Sequence, residues 1–313
     1  MPGQPRQPNV LQIGRIELDF GRKAKLVKGR LNLQEGTAKV LVECGGKTSE
    51  LSVAMEMEKP ALSVRFGKGL SAATIRRLPA WEHVGEYLKS ISFEPPRVIN
   101  TRRLKGWVHT LPVDPAYCVG YRLDRGELAI AVTRGADAKK AAAAAAELVD
   151  WIGREGFRAV CRRSQAWWKT YWKSVPRISI PNCRLSFLYE YGMYKLGSYS
   201  NPAGVPGTLQ GPWVEDTRMP HWSDDYHFNI NVQMCYQPAY QGNRLANLRP
   251  LFDMIGTWTE TLRRNAKLFI GVDDGLLLPH AVSDRCEFIC GYWGHSVDHG
   301  STAWVAAMMY RYY

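Results

Sequence analysis

The chain has 313 residues, of which 45% are hydrophobic and 22% charged, and its formal net charge is +12. This composition is ordinary for a globular protein and argues against wholesale disorder, collagen-like repetition and coiled coil. At roughly 100 to 200 residues per domain, the length predicts about two domains. No apolar run approaches the ~18 consecutive residues that a spanning helix needs, so we expect no membrane partner.

The N-terminal residues and the cysteines bear on the cellular compartment. Prolines and glutamines occupy the first ten residues, where a secretory signal would carry an apolar segment. The chain as given therefore favours the cytoplasm unless the true N-terminus lies upstream, and we leave its localisation open. Seven cysteines, an odd number, are spread thinly and favour free thiols over a disulfide framework.

The densest basic run could contact phosphate groups. It consists of Arg22, Lys23, Lys25, Lys28 and Arg30. The run lacks both the interleaved aromatic residues of a single-strand platform and the spacing of a helix-turn-helix or zinc finger. We interpret it as a solvated basic surface and expect no nucleic-acid partner.

The N-terminal part predicts antiparallel β structure. From residue 11 to about 133, apolar and polar residues alternate with the period of half-buried strands. Gly45-Gly46 predicts a two-residue hairpin turn, and Asp124-Arg125-Gly126 predicts a second turn. We predict an antiparallel β-sandwich over residues 1–134.

The character of the sequence changes after Gly135. Ala136 to Ala146 is an alanine-rich run with strong helix-forming composition. We interpret residues 135–180 as a helical linker. Further helices are predicted at 184–199, 229–241, 246–270 and 299–313, separated by long loops rich in Gly, Pro, Trp, His and Asp.

The last predicted helix is apolar and stops at Tyr313 without a Gly, Asn or Pro to end it. A helix of this composition needs apolar partners. We therefore interpret the polypeptide as a fragment of a longer protein.

Residues 211–240 combine carboxylates with aromatic and amide side chains. The segment contains Trp213, Glu215, Asp216, Trp222, Asp224, Asp225, His227, Asn229 and Asn231. Apolar sugar faces stack on aromatic rings and sugar hydroxyls need paired donors and acceptors, so this set is typical of a carbohydrate site. The alternative is a polar loop before a helix capped by Asp225 or Asn229, and composition leaves both open.

A second cluster contains residue types that bind metals. It comprises His280, Asp284, Cys286, Cys290, His295 and His299. The gap between its Cys and His pairs is far shorter than the roughly 12 to 15 residues of a zinc finger, so we expect a core-plus-loop arrangement and no metal. The sequence also lacks a phosphate-binding glycine loop, a Ser/His/Asp elbow and a dinucleotide fingerprint, and we expect no cofactor.

Three segments together resemble a known family. They are Gly207-Thr-Leu-Gln-Gly-Pro-Trp213, Trp222-Ser-Asp-Asp-Tyr-His-Phe-Asn-Ile-Asn-Val-Gln-Met234 and Pro250-Leu-Phe-Asp253. They are similar to the catalytic domain of glycoside hydrolase family 95, which comprises inverting α-L-fucosidases and relatives acting on α-L-galactosides. The resemblance implies a multidomain β plus α protein, with an antiparallel β-sandwich followed by an (α/α)6 barrel.

Residues 181–313 would form only the first part of that barrel. Twelve helices with their loops need roughly 200 residues, which is more than this segment contains. The family's acid glutamate and base aspartate would both lie C-terminal to Tyr313. The resemblance therefore implies that this chain alone is inactive.

The resemblance also assigns roles to individual residues. Asn229 and Asn231 would hold the attacking water together with a distant aspartate, because an amide has no useful basicity near neutral pH. His227 would form hydrogen bonds in the sugar pocket. The expected substrate-binding residues are His227, Asp225, Trp213, Trp222, His280, Asp284 and Trp293.

Several positions depart from the family pattern. Gln233, Cys235 and Gln237 stand where the family usually has Glu, Asn and Trp, and Ala281 replaces a histidine. A sister glycosidase with another sugar specificity is therefore one alternative. Others are a non-catalytic carbohydrate-binding protein and phosphorolysis on a related barrel. The expected partner is an oligosaccharide or glycan, and the oligomeric state is not predicted.

Overall fold

The computed structural model describes residues 10–21, 23–72, 74–289 and 298–313. The chain divides into two compact units. One is Ile13–Lys173, and the other combines Met1–Gln12 with Ser174–Tyr313. No helix within the described ranges is both long and apolar enough to cross a membrane.

The unit Ile13–Lys173 is built on antiparallel strands. The strands are β1 Gly14–Asp19, β2 Lys25–Asn32, β3 Thr37–Cys44, β4 Lys47–Met55, β5 Ala61–Phe66, β6 Thr74–Pro79, β7 Arg97–Asn100, β8 Lys105–His109, β9 Ala116–Asp124 and β10 Glu127–Gly135. Eight of them form one sheet in the order β2-β3-β4-β5-β10-β9-β8-β7, and β1 pairs with β6. The prediction of a large antiparallel β region is confirmed.

Both predicted turns lie where the glycines indicated. Cys44 pairs with Lys47 across the β3–β4 turn, and Gly45 and Gly46 have φ values of 57° and 76°. Two consecutive positive φ angles are typical of the tight turn that matches strand twist, and glycine adopts them without steric cost. The β9–β10 turn repeats this geometry at Arg125 and Gly126, with φ values of 48° and 78°.

Three helices accompany these strands: α1 Trp81–Ser90, α2 Ala138–Glu155 and α3 Phe157–Ser174. Successive residues of a strand point to opposite faces of a sheet. Ala129 accordingly belongs to the core that contains the small residues of α2, whereas Leu128 belongs to the core that contains Ile16 of β1. The eight-stranded sheet is therefore covered on both faces.

Small residues determine how closely α2 approaches the sheet. A Cβ atom added at Gly120 of β9 would lie 2.6 Å from Leu104 Cδ1 and 3.1 Å from Ala145 Cβ. Ala141 and Ala145 are completely buried. The alanine-rich run is thus a packing surface of the core.

Residues 135–180 were predicted as a helical linker, and within them α2 and most of α3 belong to the unit Ile13–Lys173. Asp137 caps α2 by accepting a hydrogen bond from Lys140 N at 2.8 Å. Glu127 of β10 accepts one from Phe157 N at 2.8 Å, at the first residue of α3. Alanine composition predicted the helix but gave no indication of the surface that it covers.

The other unit is mainly helical in its described part. Its elements are α4 Cys183–Tyr199, β11 Tyr226–His227, α5 Asn231–Tyr236, α6 Pro238–Gln241, α7 Arg249–Gly256, α8 Thr259–Ile270, β12 Ala281–Val282 and α9 His299–Tyr312. The predicted helices 184–199 and 299–313 agree with α4 and α9 to within one residue. The predicted helix 229–241 is divided at Gln237, before Pro238, and 246–270 is divided at Thr257-Trp258.

The buried face of α2 gives a test of its place in the core. We expect Ile152→Ala to lower the free energy of unfolding by about 2–5 kcal/mol, because it removes a buried side chain and leaves a cavity. Urea denaturation followed by circular dichroism measures the change. The control is Glu147→Ala, an exposed position of the same helix, for which we expect a change within about 0.5 kcal/mol. Equal effects of the two substitutions would contradict the packing described.

Asp150 of α2 gives a pH-dependent test. Burial raises the pKa of its carboxyl, but Arg103, at 2.6 Å, and Arg122 outweigh that effect, so the pKa lies below its ordinary value. A lowered folded-state pKa stabilises the fold above the unfolded-state pKa of about 3.9, and this contribution is lost as the pH falls through the folded-state pKa. Asp150→Asn should therefore lower the free energy of unfolding by about 1 kcal/mol at pH 7 and by progressively less below about pH 4. A stability difference that is independent of pH would contradict this origin, and Glu147→Gln serves as the control.

Candidate functional site

A short strand pair brings together two distant parts of the C-terminal region. β11 and β12 pair antiparallel, with Tyr226 opposite Val282 and His227 opposite Ala281. Phe228 N extends the pairing by donating to His280 O at 2.6 Å. His227 and His280, which are 53 residues apart in the sequence, thereby become direct neighbours.

The two histidines form the centre of a chain of four side chains. Their Nε2 atoms are 2.9 Å apart, and the rings are nearly perpendicular at 88°. Asp225 Oδ1 lies 2.9 Å from His227 Nδ1, and Asp298 Oδ2 lies 3.3 Å from His280 Nδ1. We refer to Asp225, His227, His280 and Asp298 as the His–Asp chain. Both ring nitrogens of His227 therefore have partners within the protein.

Asp298 also caps α9. Its Oδ1 accepts hydrogen bonds from Gly300 N at 2.9 Å and Ser301 N at 3.2 Å. Burial raises the pKa of the Asp298 carboxyl, but the hydrogen bonds from Ser301 and Gly300 and the charge of His280 outweigh it, so the pKa lies below its ordinary value. Sequence reasoning missed this residue, although an Asp directly before a helical run is a recognised N-cap signal.

Asp224, next to the His–Asp chain, holds a strained loop. Trp222, Ser223 and Asp224 have φ values of 55°, 58° and 49°, so three consecutive non-glycine residues adopt the left-handed conformation. Such a conformation costs on the order of 1–3 kcal/mol per residue and persists only where the surroundings impose it. Asp224 is fully buried, and its Oδ1 accepts a hydrogen bond from Gln210 N at 2.7 Å.

The electrostatic setting of Asp224 differs from that of Asp298. Burial is the largest influence and raises the pKa of the Asp224 carboxyl. Hydrogen bonds from Gln210 and Thr208 partly oppose this, whereas the charge of Asp225 adds to it. We interpret Asp224 as the anchor of the loop rather than as a group that reaches a ligand.

The loop presents Trp222 beside the His–Asp chain. The Trp222 side chain is 56% exposed, and its ring centroid is 5.6 Å from that of His227. Trp213 is a second partly exposed indole, at 47%. Lys195 Nζ lies over the Trp213 ring, 4.1 Å from its centroid, and so occupies one of its faces.

The segment 207–213, which carries Trp213, is fixed by buried hydrogen bonds. Gly207 N donates to the Tyr236 hydroxyl at 2.8 Å, and Leu209 N donates to Asp225 O at 3.0 Å. Burial raises the pKa of Tyr236 to about 12, so its hydroxyl stays protonated at neutral pH. Tyr236 was another residue that composition did not single out.

Asn229 and Asn231 directly follow β11. Asn229 is exposed, and Asn231 is half-buried at the first residue of α5. Within the described residues neither amide side chain has a hydrogen-bond partner. The Phe228 carbonyl before them accepts hydrogen bonds from Gln233 and from Ser301 Oγ of α9, the latter at 2.8 Å. Buried Gln233 and Ser301 therefore fix the backbone while the asparagine amides remain available.

The remaining residues predicted from the sequence differ in their exposure and in their contacts. The Asp284 side chain is exposed, and its backbone carbonyl accepts a hydrogen bond from Trp258 Nε1 at 2.9 Å. Glu215 forms an exposed ion pair with Arg218 at 2.8 Å, and Asp216 is half-buried in the same loop. Trp293 lies outside the described residues, as do Cys290 and His295.

The metal alternative receives no support from the described part of the chain. No group of three or more His, Cys, Asp or Glu side chains there could hold a metal ion. The cysteines described, Cys44, Cys118, Cys161, Cys183, Cys235 and Cys286, are free thiols.

A solved structure shares the fold. A "Putative kojibiose phosphorylase from human microbiome" aligns with a TM-score of 0.61 over 90% of this chain and 41% of its own, at 12% identity. At this identity the likeness concerns the fold alone.

Two curated proteins match in sequence. "Probable alpha-fucosidase A" from Aspergillus niger is 37% identical over 91 residues, which is 29% of this chain and 11% of that protein. "Alpha-L-fucosidase 2" from Arabidopsis thaliana is 33% identical over 121 residues, which is 38% of this chain and 13% of that protein. The matches thus span only a small part of each relative.

The family model for the glycosyl hydrolase family 95 catalytic domain matches residues 182–313, which include the whole His–Asp chain and both asparagines. The two curated matches agree with this assignment. These findings support the assignment of residues 182–313 to glycoside hydrolase family 95.

Proposed function

We propose that this chain is part of an inverting exo-glycoside hydrolase that removes terminal α-L-fucosyl or α-L-galactosyl residues from oligosaccharides. The observation that carries the proposal is the pair of asparagine amides, Asn229 and Asn231, which have no hydrogen-bond partner among the described residues and closely follow the fixed strand β11. The names of the two curated relatives support a fucosyl substrate.

The proposed task of the asparagines is to orient water. Inversion requires an acid for the leaving oxygen and a base on the opposite face of the sugar, with the two carboxyl groups roughly 6.5–9.5 Å apart. Asn229 and Asn231 can hold a water through their amide groups but cannot deprotonate it.

The two carboxylates that stand nearest to the asparagines in the sequence, Asp224 and Asp225, are already engaged. Asp225 binds His227, and Asp224 is buried beneath its loop. We propose that both the acid and the base come from parts of a longer protein, since the curated relatives extend far beyond the matched segment.

The proposed architecture is a β-sandwich over residues 1–134 and a partial (α/α)6 barrel over residues 181–313. Exposed apolar side chains on α4, Leu185, Phe187 and Leu188, support additional helices packing there. In this arrangement Trp222 and Trp213 would offer aromatic faces to a sugar, while Asp225, His227, His280, Asp284 and Trp293 would shape the pocket.

The asparagine role can be tested in the full-length gene product with 2′-fucosyllactose. We expect release of fucose whose first-formed anomer is β, as followed by proton NMR. Asn229→Ala should lower kcat about 10²- to 10⁴-fold with little change in KM, because positioning of the water affects mainly the chemical step. Gln241→Ala, an exposed amide in α6, is the control. Retention of configuration, or full activity of the variant, would count against the proposed mechanism.

A carbohydrate-binding protein without turnover is the second candidate. It is favoured by the exposed indole of Trp222 and by the commitment of the nearby carboxylates to internal contacts.

Calorimetry with 2′-fucosyllactose tests this alternative and the role of Trp222 together. Trp222→Ala should weaken binding roughly 2- to 10-fold, as expected for the loss of one aromatic contact of about 0.5–1.5 kcal/mol. Trp304→Ala, an exposed position on α9, should leave the affinity unchanged. Binding without hydrolysis by the full-length protein would favour the second candidate, and unchanged affinity of Trp222→Ala would remove Trp222 from the site.

A further inference from the structure

A polar cleft lies between the eight-stranded sheet and the C-terminal end of α2, within the unit Ile13–Lys173. Its volume is about 260 Å³. Pockets for drug-sized ligands usually measure about 300–1,000 Å³, so this cleft suits a smaller molecule. All of its lining residues precede residue 182 and therefore lie outside the segment that the family model matches.

The floor of the cleft carries a hydroxyl group that has no internal partner. Ser63 of β5 lines the cleft and is only 1% exposed. It stands opposite Ala129 of β10, which belongs to the core beneath α2, so the Ser63 side chain points to the same side of the sheet. Among the described residues its hydroxyl forms no hydrogen bond. A buried hydroxyl in this state costs free energy, and a ligand in the cleft would supply the missing bond.

Charged groups of both signs stand at the mouth of the cleft. Asp124 and Glu127 pair across the β9–β10 turn, and Arg125 lies in the turn itself. Asp124 and Arg125 are exposed, and in the described part of the chain neither forms an ion pair. Glu127 accepts a hydrogen bond from Phe157 N through Oε2, at 2.8 Å, and a carboxylate can accept further bonds.

Arg122 contributes to one side of the cleft and is held in place by α2. Its Nη1 donates to Asp150 Oδ1, and Arg103 binds the other oxygen of the same carboxylate at 2.6 Å. A Cβ atom added at Gly153 would lie 2.5 Å from Arg122 Nη2, so the missing side chain makes room for the guanidinium beside the helix. A guanidinium has five N–H donors, and the pair with Asp150 therefore leaves donors for a ligand.

We propose that this cleft binds one neutral polyhydroxylated ring, such as a pyranose sugar. Each sugar hydroxyl both donates and accepts, so neighbouring hydroxyls can donate to the two carboxylates while they accept from the two guanidiniums. Ser63 binds a further hydroxyl at the floor. The two positive and two negative side chains balance, so the lining selects neither an anion nor a cation. The inference uses only the lining of the cleft and does not rest on the proposed function.

The test is an NMR titration of the whole chain, labelled with ¹⁵N-arginine and carrying Trp222→Ala so that the sugar site proposed at Trp222 does not contribute. The variants Arg122→Lys and Arg125→Lys identify the two Nε resonances. L-Fucose and D-glucose are added separately at millimolar concentration. We expect the Arg122 and Arg125 resonances to shift in a saturable manner with at least one of the two sugars.

Substitutions on the floor and at the mouth of the cleft separate binding from a structural role. Ser63→Ala should weaken sugar binding roughly 2- to 10-fold, as for the loss of one hydrogen bond. It should leave the melting temperature unchanged or higher, because the hydroxyl has no internal partner. Asp124→Ala should weaken binding about tenfold or more, since it removes a charged acceptor. The control is Ser71→Ala, an exposed serine of the same unit, which should leave the affinity unchanged.

Three results would overturn the proposal. They are arginine resonances that neither sugar shifts, equal affinities of Ser63→Ala and Ser71→Ala, and a lower melting temperature of Ser63→Ala with unchanged affinity. Inorganic phosphate and glycine are titrated in separate arms. If either shifts the Arg122 resonance at a lower concentration than both sugars do, the cleft selects charge and the neutral ligand fails. Because the reporters are arginines of the cleft, failure here leaves the proposed role of Trp222 untouched.

Discussion

The hydrogen bond between His227 and His280 is the constraint on which the arrangement of the site depends. It joins β11 to β12, and through Asp298 it continues to the first turn of α9. Ser301 of the same turn binds the Phe228 carbonyl, which immediately precedes Asn229. The orientation of the asparagine segment is therefore set by contacts from residues far along the chain. In an arrangement of this kind, accurate placement comes from the buried residues behind the exposed ones.

Local rules predicted the parts of this fold that depend on neighbouring residues. The turns at Gly45-Gly46 and Asp124-Arg125-Gly126 were predictable because their backbone angles favour glycine, and the apolar spacing of α4 and α9 gave their bounds. The role of α2 was not predictable in this way. An alanine face is equally compatible with solvent and with a sheet, and only the tertiary structure distinguishes the two.

The residues of the candidate site likewise divide into those that the local sequence identified and those that only the tertiary structure brings together. Asp225, His227 and the two asparagines were singled out because they stand close together in one unusual segment. Asp298 and Tyr236 were not, since Asp298 stands directly before an apparently ordinary helical stretch, Tyr236 stands within one, and both reach the site only through the fold. The resemblance implied a hydrogen-bonding role for His227 but gave no indication that Asp225 and His280 would contact its two ring nitrogens. Fold likeness and sequence likeness point to proteins with different names, a phosphorylase and two fucosidases, as expected where one architecture carries several chemistries.

The close approach of α2 to the sheet has a consequence for the divergence of this chain. At Gly120 a single added carbon would meet Leu104 and Ala145, so a larger residue at Gly120 requires its neighbours to move or to become smaller. Homologues that carry a larger residue at Gly120 should therefore also differ at Leu104 or Ala145. The interior between helix and sheet would then change more slowly than the loops that surround Trp213 and Trp222, where new side chains meet solvent. Substrate preference can diversify in those loops while the supporting layer stays the same.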